Sequence, residues 1–167
     1  MSLKPSDYKL LLELMRDSKR SDRQLAKVLG MSQPTITRKR SLLEKEFLDG
    51  YTAVPKWEKL GYEIFAITLV KIKPAIAARE KYDATRKKGG EWLKSQHNVI
   101  MAGACRGMGV DSFMISLHKS YPEFDDFMRN YRLELGEFAE DIQSVLVNLR
   151  GKELLKPLHL KYLAEEK

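Results

Sequence analysis

Apolar residues recur along this chain with two different periods, and the switch between them marks its organisation. Through residue 46 the spacing is helical. Tyr8, Leu11, Leu12 and Met15 fall at i, i+3, i+4 and i+7, which predicts a helix that starts near Ser6 and frays at Asp17-Ser18-Lys19. Ser21 with Gln24 three residues on forms a capping box, and Leu25, Val28 and Leu29 supply the stripe of a short second helix ending at Gly30. Ser32 caps a third helix that takes Pro34 in its first turn, where no intrahelical donor is required, and runs to about Glu46. Beyond it, Phe47 to Val54 reads as a two-stranded wing turning at Asp49-Gly50.

From residue 62 the pattern becomes that of strands alternating with helices. The run YEIFAITLVKIK is apolar on both faces, with Ile64, Ala66, Val70 and Ile72 on one and Phe65, Ile67 and Leu69 on the other. Residues 75–95 predict a charged helix interrupted at Gly89-Gly90, followed by strands at 97–105 and 110–118. Ser120 with Glu123 marks another capping box, and Phe124, Phe127, Met128, Tyr131, Leu135 and Phe138 make the apolar stripe of the helix it opens. Residues 142–149 form the last strand. The order β-α-β-β-α-β is the ferredoxin-like (ACT-like) arrangement, so the fold class is α+β: a winged helix-turn-helix over 1–54, a linker over 55–61 and a second domain over 62–167. Helices on one face of such a sheet leave the other to be covered, and dimerisation is expected on burial grounds.

Chemistry enters with the third helix. Ala26 is small enough for two helices to cross, Gly30 suits a left-handed turn four residues on, and Ile36 plugs the core six residues after that, which is the spacing of a helix-turn-helix. With Ile36 and Leu43 inward, Gln33, Thr37, Arg38 and Ser41 turn outward and Thr35 and Arg40 lie toward the edges. Together with Ser32 and Lys39 these are side chains suited to base edges and phosphates of double-stranded DNA. Charge supports the same partner. The chain of 167 residues is +7 overall, and residues 1–56 carry 12 Lys and Arg against 7 Asp and Glu, leaving 18 against 16 for the remainder. With 43% hydrophobic residues the chain has ample core, and no apolar run is long enough to span a bilayer or to act as a secretory signal, so a cytoplasmic location without membrane attachment is expected. A lone Cys105 makes no intrachain disulfide, and three His (His97, His118, His159) argue against a structural metal.

The segments DYKLLLELMRDSKRS, QLAKVLGMSQPTITRK and LEKEFLDGYTAVPKWEKLGY closely resemble the Lrp/AsnC family of bacterial and archaeal regulators, and the resemblance runs nearly end to end. It implies dimers that assemble further, to tetramers or octamers, binding to promoter DNA, and an amino acid as effector, with no cofactor. The family's effector loop corresponds to Arg106–Asp111, where Gly107 and Gly109 free backbone amides for a carboxylate and Asp111 suits an α-ammonium group; Met108 completes the candidate site, the family's aromatic is missing, and the alternative is that this glycine-rich connection is only a turn between two strands. The expected function is that of a sequence-specific transcriptional regulator, not an enzyme. Two alternatives belong to other classes. One is an architectural protein coating DNA without sequence preference; the other is an enzyme like the siroheme decarboxylases, similar in fold, for which His97, His118 and Arg106 are the available residues.

Overall fold

The computed structural model describes residues 3–76, 79–152 and 154–165. They form two compact units, Met1–Val54 with Lys156–Lys167, and Pro55–Leu155. The tail expected to belong to the second domain therefore groups with the first, and the expected linker groups with the second.

The first unit is three helices around a small core. α1 (Pro5–Arg16) opens with proline in its first turn, α2 (Asp22–Leu29) carries the full Ser21/Gln24 capping box, and α3 (Gln33–Glu46) is capped by the Ser32 hydroxyl accepting from the Thr35 N–H. Gly30 sits at φ +65°, and its N–H and that of Met31 both donate to the Ala26 carbonyl, closing α2 as a left-handed cap. Leu10, Leu14, Leu25, Ala26, Ile36 and Leu43 form the core. α1 is rotated from the expected face: Tyr8 is exposed and Leu10 and Leu14 point inward, with Asp7 and Glu13 buried beside them. The run Leu10-Leu11-Leu12 offers two stripes, and buried ion pairs bring acidic positions onto the inner face. Val28 of α2, placed in the apolar stripe, is likewise exposed.

The expected wing does not form. No strand occurs over residues 47–54. A two-residue hairpin turn needs positive φ at its first central position (type II′) or at both (type I′); Asp49, the first, is not at positive φ, and the segment stays extended without a ladder. The tail returns to α1 instead: a 3₁₀ turn, Leu160–Ala164, packs on it, and Arg16 Nε donates to the Ala164 carbonyl at 2.7 Å.

The second unit is a four-stranded antiparallel sheet in the order β2-β3-β1-β4, with β1 (Ile64–Ile72), β2 (Val99–Gly107), β3 (Val110–His118) and β4 (Ala139–Asn148). α4 (Arg79–Ser95) and α5 (Tyr121–Leu135) complete the β-α-β-β-α-β order. Ala66, Val70 and Met114 from the sheet pack against Phe124, Phe127, Met128, Tyr131 and Leu135 of α5. Two details differ from expectation. α4 continues through Gly89-Gly90 without a break. At α5 only half a capping box is present, because the Glu123 carboxylate accepts from the Lys119 N–H and not from that of Ser120.

His118 ends β3 fully buried, with Nε2 2.8 Å from the Ser116 hydroxyl and its ring between Phe124 and Phe127. Burial pushes its pKa below the ordinary value, against a smaller opposing effect of the Glu123 charge. The unfolded chain then binds a proton that the folded chain refuses as pH falls below about 6.5, so stability should drop by up to about 1.4 kcal/mol per pH unit from this group. Urea unfolding followed from pH 7.5 to 5.5 in the parent and in His118→Gln checks this: the variant should lose the His118 share of the slope. An unchanged slope in the variant would refute the assignment.

Candidate nucleic-acid interface

The outer face of α3 is set by its inner one. Ile36 and Leu43 are fully buried, which leaves Gln33, Thr37, Arg38 and Ser41 exposed, and with Pro34 they line a single shallow concavity. Ser32 is exposed at the cap and Thr35 is half-buried at the edge, its hydroxyl 2.8 Å from that of Ser32. The Arg38 guanidinium has no hydrogen-bond or ion-pair partner among the described residues. It is an unspent forked donor on an exposed helix, the chemistry suited to a guanine edge or a phosphate.

Thr37 is held from behind. Its hydroxyl donates to Asp22 Oδ2 at 2.6 Å and also lies 3.1 Å from the Gln33 carbonyl. The Thr37 hydrogen bond is the largest reason that the Asp22 carboxyl lies below the usual carboxylate range; partial burial opposes it, and the Arg40 hydrogen bond and charge add to it. Asp22 stands in the first turn of α2, so it ties the two helices of the motif together at their contact.

Two residues expected on DNA are engaged inside the unit. Lys39 Nζ pairs with the Asp7 carboxylate and lies 2.9 Å from the Ser6 hydroxyl, with side chains only 16% and 6% exposed for Lys39 and Asp7. Arg40 donates to Asp22 Oδ1 at 2.7 Å and to the Ser18 and Arg20 carbonyls, reaches Glu44 at 3.5 Å, and lies over the Tyr51 ring. The Tyr51 hydroxyl in turn donates to Glu44 at 2.9 Å, which anchors the extended segment after α3 to that helix. Helical spacing carried the signal: positions 39 and 40 lie three and four after Ile36 and four and three before Leu43, on the inward side.

The second candidate site is a tight turn. Met108 and Gly109 have φ +53° and +72° between the paired residues Gly107 and Val110, a type I′ hairpin whose first central residue is a strained methionine, 92% exposed. Asp111 Oδ2 accepts from the Ile72 N–H at 2.8 Å, one rung beyond the last β1–β3 pair, so the carboxylate extends the ladder with its side chain. His97 and Arg106 are exposed while His118 is sealed beneath α5; the three are not gathered at one site.

Residues 5–43 match the model of the AsnC-type helix-turn-helix domain. An uncharacterized HTH-type transcriptional regulator of Pyrococcus furiosus is 35% identical over 151 residues, covering 90% of this chain and 86% of that protein. The HTH-type transcriptional regulator LrpA of Pyrococcus abyssi is 32% identical over 98 residues, 56% of this chain and 70% of that one. Some curated relatives align over less: a second uncharacterized regulator of P. furiosus, 34% identical, shares 49% of this chain and 61% of its own length. Among solved structures, a transcriptional regulator of Neisseria meningitidis in complex with L-Met superposes with a TM-score of 0.78 at 21% identity, over 97% of this chain and 99% of that one. Escherichia coli AsnC gives 0.73 at 17%, over 95% and 99%. Fold, motif and relatives agree, and the chain belongs to the Lrp/AsnC family of HTH-type transcriptional regulators.

Proposed function

We propose that this chain is a sequence-specific DNA-binding regulator that works in the cytoplasm as a homodimer or a larger even assembly of itself. The observation that carries the reading is the α3 face with its unpaired Arg38. Gln33, Thr37 and Ser41 flank it as short polar readers, and Asp22 fixes the Thr37 rotamer before DNA arrives. Lys39 and Arg40 act one step back, by holding α3 against α1 and α2. Dimerisation rests on the sheet face opposite α5, where the rows Leu69-Phe113-Gln143 and Ile67-Ile115-Val145 run across three strands, beside a third row whose central Leu117 is already buried within the chain. An amino-acid effector at the Gly107–Asp111 turn belongs to the same reading: one oxygen of Asp111 holds β1, and the exposed turn leaves Met108 and the glycine amides to a ligand.

Arg38→Ala tests it. On DNA selected by the protein from a random pool, the variant should bind about 1–3 kcal/mol more weakly at matched salt, with random DNA changed far less. Unchanged binding to the selected DNA would remove Arg38 from the interface. Equal weakening on selected and random DNA would favour a coating role without sequence preference.

A further inference from the structure

α4 stands off the sheet and leaves a cavity of about 860 Å³ inside the second unit. Its floor is β2 and β3, with Ala102, Ala104, Ser112 and Met114; Gly89, Gly90 and Leu93 of α4 lie above it. The volume is at the upper end of sites for small organic ligands. Ala102 and Ala104 share the face of buried Met114 yet remain exposed, so the core, which α4 joins through Trp92 and Leu93, does not extend over these β2 positions.

Two independent features point to an occupant. The glycine pair in the interior of α4 costs about 1 kcal/mol per residue in helix stability relative to alanine, and a Cβ at either position would meet nothing within 4 Å. No packing contact asks for glycine there; what the pair does is widen the cavity. Separately, Tyr131 lines the cavity at 7% exposure with a hydroxyl that has no hydrogen-bond partner among the described residues, and Ser112 is likewise without a side-chain partner. Burial raises the Tyr131 pKa, so the group is a neutral donor, and its hydroxyl is open to an acceptor in the cavity. The charged lining residues balance, Arg86, Lys87 and Lys94 against Asp83, Glu91 and Asp111, and so favour no net charge.

We infer that the space between α4 and the sheet binds an uncharged, largely apolar molecule carrying one carbonyl or hydroxyl oxygen, which accepts from Tyr131. The site lies within the second unit and meets the Gly107–Asp111 turn only at Asp111. The probe is 2-nonanone, titrated into the full chain carrying Trp57→Phe. Trp92, the remaining tryptophan of two, meets the Tyr131 ring at 5.4 Å and reports by its fluorescence. Expected results are saturable binding, about fivefold weaker binding in Tyr131→Phe, and at least about tenfold weaker binding of nonanoate, whose charge would be buried unpaired. Gly90→Leu should abolish binding while leaving the melting temperature equal or higher, since leucine restores helix propensity and its Cβ meets nothing within 4 Å. Non-saturable uptake, or binding that survives Gly90→Leu, would overturn the site; nonanoate binding as tightly as the ketone would overturn the ligand class.

Discussion

Lys39→Met should destabilise the N-terminal unit by about 3–5 kcal/mol, although the residue lies in the middle of the basic run Arg38-Lys39-Arg40. The ammonium pairs with Asp7 under a cover that leaves the carboxylate side chain 6% exposed. Removing one partner strands the other charge in a place water hardly reaches, and the Ser6 hydroxyl loses the donor it accepts from. Denaturant unfolding monitored by helix content checks the size of the loss. The double variant Asp7→Leu with Lys39→Met should recover most of it, since replacing both partners by apolar groups removes the stranded charge. Arg38→Ala, one residue away, should change stability by no more than about 0.5 kcal/mol because its guanidinium touches nothing inside. A Lys39→Met protein as stable as its parent would mean that Lys39 is a surface residue free for DNA after all.

That contrast also shows where sequence reading succeeds on this chain. Features encoded within a few residues were legible: the Ser21/Gln24 box, Gly30 at positive φ, Ser32 as a cap, and the α5 stripe from Phe124 to Leu135 all depend on local geometry. The strand order followed from the alternation of elements, and the β2–β3 hairpin from Gly107-Met108-Gly109. Features set by distant partners were not. The face of α1 depends on Lys39, 32 residues after Asp7, and on a tail that returns from residue 160 onward. Nothing near Asp49-Gly50 announces that Tyr51 will bond Glu44 and hold the chain extended in place of a wing. At the interface, exposure of Gln33, Thr37, Arg38 and Ser41 was readable from the positions of Ile36 and Leu43. The inward use of Lys39 and Arg40 was readable from the same two residues, but treating the basic triplet as one surface concealed it.

Ile67→Asp combined with Val145→Asp should convert the protein to monomers and lower its affinity for its selected DNA by about 10²–10⁴-fold, because each monomer then engages one half-site without a tethered second. The two positions are direct neighbours across β1 and β4, with Ile115 beside Ile67 on β3, so they sit at the middle of the apolar rows on the face turned away from α5. Val145 is 57% exposed in the single chain, far more than an aliphatic side chain in the middle of an otherwise apolar surface is expected to remain. Facing carboxylates brought together by a two-fold axis would repel and lose their hydration, which a dimer held by apolar burial cannot offset. In the monomer the same carboxylates point to water, so the sheet, whose other face carries the core, should keep its fold and far-ultraviolet spectrum. Sedimentation velocity reads the assembly and a binding titration reads the affinity. If the double variant sediments like the parent, the subunits meet through another surface. If it becomes monomeric yet binds DNA as tightly as before, the assembly exists for some purpose other than presenting two copies of α3 to one duplex.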